Sequence, residues 1–341
     1  MRLARRQAIV AGAVVALGAP ALAAGQAPAG LHVSAFTADP AITTGERAAI
    51  SGRVAPAAVV PVAVERLEGD AWATIATVRT RADGRFAATL PLRRSGNLRV
   101  SVATAEGGVS TSRRRFVTVR RKVTLRVTAA PLENISGRPF TARGVVVGAA
   151  KGERAVLEGS LNGSRFRPLK RIAVKGGRVA ATFTPPKGGT WRFRLTAEAS
   201  ADGSRAEGRA TTGRMDVYGS NPHGIPSSAP HYLVQEISQF HLYYYEGGTL
   251  RRVFPVVFGA PGTPTPVGTY RVYSKTVGPR AAFGPLVLWY HRGYGIHGTN
   301  QEYLLDDPVR YYSHGCTRNY NANILWLWPR VPVGTPVRNL A

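Results

Sequence analysis

The sequence predicts a mainly β protein: two related β-sandwich modules, then a β-rich C-terminal unit with a short helix near its end. Three observations lead there. Two sequence blocks recur at a shared offset of 93 residues. Apolar residues alternate with polar ones at period two, which puts one face of a strand on a core and the other in water. Turn signals such as Ala82-Asp83-Gly84, Lys175-Gly176-Gly177 and Lys187-Gly188-Gly189 punctuate these runs.

The N-terminus reads as an export address over residues 1–23. Arg2, Arg5 and Arg6 form a charged start, Ala8 to Leu22 is apolar, and Ala21-Leu22-Ala23 supplies an A-x-A cleavage site. Arg5-Arg6 leaves a twin-arginine route open, although the flanking residues fit it poorly. The apolar stretch is short for a membrane span, so the mature protein is expected outside the cytoplasmic membrane, at the cell wall, in the periplasm or in the extracellular space.

Modules are expected at 31–120 and 122–213. Gly84-Arg85-Phe86-Ala87-Ala88-Thr89-Leu90 lines up with Gly177-Arg178-Val179-Ala180-Ala181-Thr182-Phe183, and Gly96 to Val100 lines up with Gly189 to Phe193. A period this long means duplicated domains and not solenoid repeats. Leu98, Val100 and Val102 alternate with Arg99 and Ser101; Trp191, Phe193 and Leu195 alternate with Arg192 and Arg194. Several short strands in each copy suggest an immunoglobulin-like sandwich without the Cys…Trp…Cys hallmark.

The formal charge is +26, of which residues 231–341 carry only +5. The excess therefore sits in the first two thirds. It points either to an anionic partner such as a wall polymer or to solvated strand faces. No basic motif interleaved with aromatics and no nucleic-acid module is present, so nucleic acid is not the expected partner. Arg120-Arg121-Lys122 is expected to join the modules as solvated surface.

Residues 214–230, with Pro222, Pro226 and Pro230, are expected to link to a third unit at 231–341. It opens as a hairpin: Phe240, Leu242 and Tyr244 alternate with Gln239, His241 and Tyr243, and Glu246-Gly247-Gly248-Thr249 turns. A turn at Thr263-Pro264-Thr265-Pro266-Val267-Gly268 precedes a strand from Tyr270. Asn321 to Trp328 forms a short helix stopped by Pro329.

Cys316 is the one cysteine of the chain. It has no intramolecular disulfide partner, so it is a buried inert thiol, an intermolecular link or a nucleophile. A thiol attacks as thiolate, and an imidazole or positive field nearby lowers its pKa. His297 and His314 are close in sequence. In an extended stretch His314 and Cys316 share a face. Gly315 lets backbone approach a substrate, and N–H groups there are candidates for an oxyanion hole. His297, His314 and Cys316 would also number enough for a catalytic zinc, but the spacing matches no familiar zinc signature.

Ile296-His297-Gly298, a gap, and then Ser313-His314-Gly315-Cys316-Thr317-Arg318-Asn319 resembles the signature of L,D-transpeptidase catalytic domains, the YkuD family. The similarity extends over nearly all of 231–341. Ile237-Ser238-Gln239 with the hairpin, Thr265-Pro266-Val267-Gly268-Thr269-Tyr270, and Val333-Gly334-Thr335-Pro336-Val337 match further family blocks in order. The resemblance implies Cys316 as nucleophile, His297 as general base and Gly298 as the residue whose carbonyl orients that imidazole. It implies His314 and Gly315 in the catalytic and oxyanion part, Ser313 as support, and Arg318 and Asn319 at the substrate. Thr317 departs from the family, which usually has an aliphatic residue there. The implied activity is peptidoglycan crosslinking through a Cys316 thioester, by a monomer without metal or cofactor, on peptidoglycan stem peptides. The two sandwiches would be spacers or wall-binding modules. An L,D-carboxypeptidase using the same site and a non-catalytic wall-binding or adhesion protein are the alternatives. A sortase-like enzyme would carry its histidine much further upstream.

Overall fold

The computed structural model describes residues 27–278 and 281–341, so the export address at 1–23 lies outside the described residues. Among these, no helix is long and apolar enough to cross a membrane. Strands dominate, and one α-helix, Asn321–Leu327, stands near the C-terminus.

The first unit has a three-stranded sheet, His32–Ala38, Ala48–Ala55 and Arg85–Leu90, and a larger sheet ordered Ala41–Thr43, Arg115–Arg120, Gly96–Ala103, Pro61–Glu68, Ala71–Arg79. Both sheets feed one apolar core running from Leu31 to Val119. The second unit repeats the layout. Val123–Ala129, Phe140–Val146 and Arg178–Phe183 form the small sheet; Arg167–Ala173, Arg154–Leu161 and Gly189–Ala197 lead the large one. The recurring sequence blocks fall on equivalent strands, Arg85–Leu90 with Arg178–Phe183 and Gly96–Ala103 with Gly189–Ala197. The second core is more aromatic: Phe183 meets Phe193 edge-on at 5.0 Å, and Trp191 stacks on Phe193 at 5.6 Å. On the outer face Arg194 forms a bidentate pair with Glu158 at 2.8 Å.

Two expectations are corrected here. Arg121 is not solvated: it is 3% exposed and makes two 2.6 Å bonds to Glu153. The reason is local docking, since the Arg121 N–H donates to Ala206 and the Ala206 N–H to Val119, closing the modules over the guanidinium. Nor is 214–230 a free linker. Met215–Val217 pairs with Gly189–Ala197, Val217 joins the second core, and Ile225 is buried against Val234, Tyr243 and Tyr245. Its apolar side chains find partners, which holds a Pro-rich segment down.

The C-terminal unit has a five-stranded sheet ordered Thr249–Pro255, His241–Glu246, His231–Glu236, Pro336–Leu340, Gly268–Arg271. A four-stranded sheet runs Ser274–Val277, Leu286–His291, Tyr294–His297, Thr317–Arg318. The alternation in His241–Glu246 does not separate core from water. Leu242 and Tyr244 face one apolar cluster while Tyr243 and Tyr245 face another, so both sides are covered. Gly247 and Gly248 close the hairpin at φ +55° and +72°, values that glycine adopts without strain.

Glu153→Ala strands a buried guanidinium, and removing one partner of such a pair costs about 3 kcal/mol or more. The Arg121 hydrogen bonds hold the Glu153 carboxyl below its ordinary range. This stabilisation is therefore whole above the unfolded carboxylate pKa and is lost as pH falls through the folded one. The expected outcome is a lower unfolding midpoint for the variant at pH 7 and a smaller difference in acid. Equal midpoints at pH 7 would remove the pair's role.

Candidate active site

The segment around Cys316 is shaped by one strand pairing and one strained turn. Thr317–Arg318 lies parallel to Tyr294–His297, with Ile296 opposite Thr317 and His297 opposite Arg318. Registered partners share a face and neighbours alternate. Ile296 and Thr317 are both fully buried in the core. His297 and Arg318 take the other side, and Cys316 immediately precedes this strand.

The turn before Cys316 requires glycine. Gly315 has φ +103°, and a Cβ there would lie 2.3 Å from the Tyr294 ring. Its carbonyl accepts from the buried Thr265 hydroxyl at 2.9 Å, and its N–H donates to Ser313 Oγ at 3.0 Å. The Ser313 hydroxyl in turn donates to the Cys316 carbonyl at 2.5 Å. Thr263 adds a bond to the Ser313 carbonyl at 3.1 Å. The Thr-Pro turn thus buttresses the loop that carries Cys316. Because the Gly315 N–H is already committed to Ser313, it is not a free oxyanion donor, contrary to expectation.

His297 is 3% exposed, with Phe283 edge-on at 4.8 Å. Its Nδ1 bonds the Gly298 carbonyl. A carbonyl can only accept, so Nδ1 carries the proton and Nε2 keeps its lone pair. Burial pushes the imidazole pKa down to about 4; the Gly298 carbonyl opposes that shift and Arg318 adds to it. Asn321, which sequence reasoning missed, clamps the next peptide. Its Oδ1 accepts from the Thr299 N–H at 2.9 Å and its Nδ2 donates to the Thr299 carbonyl at 3.0 Å. A Cβ on Gly298 would lie 2.1 Å from that oxygen, so close packing fixes this glycine. No sequence signal marks Asn321, because a helix-start asparagine is common.

Cys316 is half-buried, its Sγ 3.7 Å from the Gly293 carbonyl. Burial raises the thiol pKa, against the opposing pull of the Gly295 N–H and Arg318. The expected lowering is therefore reversed: desolvation outweighs the positive field. Burial thus favours the neutral form of each group.

The remaining candidates divide. Arg318 is half-buried, donates to Gln301 Oε1 at 2.7 Å, and its charge reaches both His297 and Cys316. His314 is exposed and makes no side-chain hydrogen bond among the described residues. The same-face rule needs extended backbone, and Gly315 at positive φ breaks it. Asn319 is fully buried, its Oδ1 taking the Asn323 amide at 2.9 Å in the first helical turn, so it is closed to substrate. Among the described residues no three metal-ligating side chains converge.

Similarity to known proteins falls on the last third of the chain. Residues 230–338 match the family model of the L,D-transpeptidase catalytic domain, YkuD. The probable L,D-transpeptidase YbiS of Escherichia coli (strain K12) is 33% identical over 143 residues, covering 33% of this chain and 46% of that protein. The probable L,D-transpeptidase ErfK/SrfK of Salmonella typhimurium is 29% identical over 143 residues, covering 33% and 45%. This chain thus spans less than half the length of those relatives. A solved L,D-transpeptidase from Xylanimonas cellulosilytica is 25% identical, covering 33% of this chain and 61% of its own, with a TM-score of 0.28, a likeness too low to carry weight.

The His297 ring should titrate by NMR near pH 4, well below an ordinary histidine at about 6.5. A lowered folded-state pKa means that the neutral ring's stabilisation is whole above the unfolded value and is lost as pH falls towards the folded one. Alkylation of Cys316 should rise with pH through a midpoint above the roughly 8.5 of a free thiol. A midpoint below that would show a resting ion pair instead.

Proposed function

We propose that the protein is a peptidoglycan L,D-transpeptidase whose nucleophile is Cys316 and whose general base is His297. The observation that carries this reading is that His297 pairs across strands with Arg318, two residues after Cys316, while its Nδ1 is tied to the Gly298 carbonyl so that Nε2 is the free base.

The Cys316 sulfur attacks the carbonyl between an L-centre diamino acid and a terminal D-residue of a stem peptide. As the S–C bond forms, the thiol proton passes to His297 Nε2, so charge appears only as the bond does. The tetrahedral intermediate expels the D-residue's amine, which takes that proton, and a thioester remains. An amine from a neighbouring stem, deprotonated by His297, attacks the thioester. The amide crosslink forms and the thiol is restored. Arg318, half-buried beside both groups, supports the negative charge that develops. No cofactor enters these steps. Ser313 and Gly315 shape the loop.

The export address would bring the chain to the wall. The N-terminal units, read as immunoglobulin-like modules, would hold it there through their positive charge on anionic wall polymers.

Cys316→Ala should abolish acyl transfer while the fold persists, and His297→Ala should lower kcat by about 10²–10⁴-fold. A carbapenem should add once to the wild type and not to Cys316→Ala, read by intact mass. Muropeptide analysis of stem peptides with an acceptor amine decides the product. Crosslinks are expected, and hydrolysis alone would make the enzyme a carboxypeptidase. Full turnover by Cys316→Ala would end the reading.

Full-length Cys316→Ala protein should sediment with purified walls at low salt and be released near 1 M, where the Debye length falls to about 3 Å. Binding that ignores salt would rule out the electrostatic tether and leave the modules as spacers.

A further inference from the structure

Beneath the nucleophile lies a group of buried polar side chains that the mechanism does not use. Gln235, Thr317, Asn339 and Tyr290 are each 3% exposed or less. They come from four strands: Gln235 and Asn339 face each other in the five-stranded sheet, while Thr317 and Tyr290 belong to the four-stranded one.

They form one connected set. The Thr317 hydroxyl donates to Gln235 Oε1. Gln235 Nε2 donates to Asn339 Oδ1 at 2.7 Å. Asn339 Nδ2 donates to the Pro266 carbonyl at 2.7 Å and reaches the Tyr290 hydroxyl oxygen at 3.3 Å. Tyr290 sits where the pairing of Leu286–His291 with Tyr294–His297 slips between Trp289 and His291. A bulge of this kind re-aims a side chain beside a site.

Buried polar groups cost free energy unless bonded, and an apolar filling of the same space would be the cheaper way to join two sheets. Thr317 stands where the family resemblance leads one to expect an aliphatic residue. The set also touches the nucleophile loop from two directions. Thr317 is the residue after Cys316. Pro266 follows Thr265, whose hydroxyl holds the Gly315 carbonyl. Directional bonds fix position where apolar packing would tolerate sliding.

We infer that Gln235, Thr317, Asn339 and Tyr290 act together as positioning residues for Cys316, a polar hub that locks the nucleophile loop across the junction of the two sheets. This rests on Cys316 being the nucleophile. Thr317→Val removes the hub's hydroxyl at nearly constant volume and leaves Gln235 Oε1 without its donor. A relaxed loop presents the thiol less accurately and exposes it more to water.

Two readouts should then move in different senses. At saturating stem peptide the acylation rate should fall about tenfold, with KM within about twofold of wild type. The pH midpoint of Cys316 alkylation by iodoacetamide should drop towards the roughly 8.5 of a free thiol. Thr317→Ser, which keeps the hydroxyl, should restore both. A folded Thr317→Val protein with both readouts unchanged would overturn the hub. If Thr317→Val does not fold, Tyr290→Phe deletes one hydroxyl at the hub's margin, and the same two shifts are expected at smaller size. Their absence there would likewise overturn it. Should the wild type fail to acylate with stem peptides, the proposed reaction falls, and the alkylation midpoints of the variants still decide the hub.

Discussion

The parallel pairing of Ile296 with Thr317 and His297 with Arg318 is the constraint on which the C-terminal unit depends. Residues far apart in sequence meet only if those strands lie side by side in that register, since a slip of one residue would turn Thr317 outward and Cys316 into the core. Much of the surrounding structure holds the register. Ile296 and Thr317 anchor it from below, the Thr265 hydroxyl and Ser313 fix the turn that enters it, and the Asn319 N–H closes it by donating to the His297 carbonyl at 2.8 Å.

Burial then decides the electrostatics of what the register brings together. Desolvation moves a thiol pKa up and an imidazole pKa down, so both neutral forms are favoured. An ion pair at rest would keep a reactive thiolate exposed to adventitious electrophiles. In the proposed reaction, neutral groups would generate the nucleophile only as it attacks. Arg318 favours the thiolate but disfavours the imidazolium, so its two effects on a Cys316-to-His297 proton transfer oppose each other.

Much of this was legible in the sequence, and the gaps have physical causes. The 93-residue offset falls on equivalent strands because a duplicated fold keeps its turn glycines and core positions. Gly298 beside His297 was readable because the motif includes it. The same-face argument for His314 and Cys316 assumes extended backbone, whereas Gly315 stands at φ +103°. Asn319 misled because a polar residue beside a nucleophile reads as exposed, while a helix beginning two residues later draws its side chain inward. Asn321 and Gln235 were invisible because their partners lie on other strands and loops, and no local pattern encodes a long-range hydrogen bond. The direction of the Cys316 shift was also hidden, because burial is a property of the assembled core.

The 214–230 segment changes how the upstream units relate to the chemistry. A flexible linker would let the catalytic unit sample many orientations, with reach growing roughly as the square root of its length. Here Ile135 of the second unit and Ile225 of the connecting segment share an apolar cluster with Val234, Tyr243, Tyr245 and Leu250. Backbone bonds reinforce it: the Val253 N–H donates to the Leu132 carbonyl at 3.2 Å and the Leu250 N–H to the Ser220 carbonyl at 2.8 Å. The Arg252 guanidinium stands 3.4 Å from Glu133, and Tyr218 meets Tyr243 edge-on at 5.6 Å. The second face of the hairpin is therefore covered by the preceding unit and not by water, which is why Tyr243 and Tyr245 are as buried as Leu242. Removing the upstream unit would expose that apolar face, so the second unit completes the catalytic unit's structure as well as setting its distance from whatever the first unit touches.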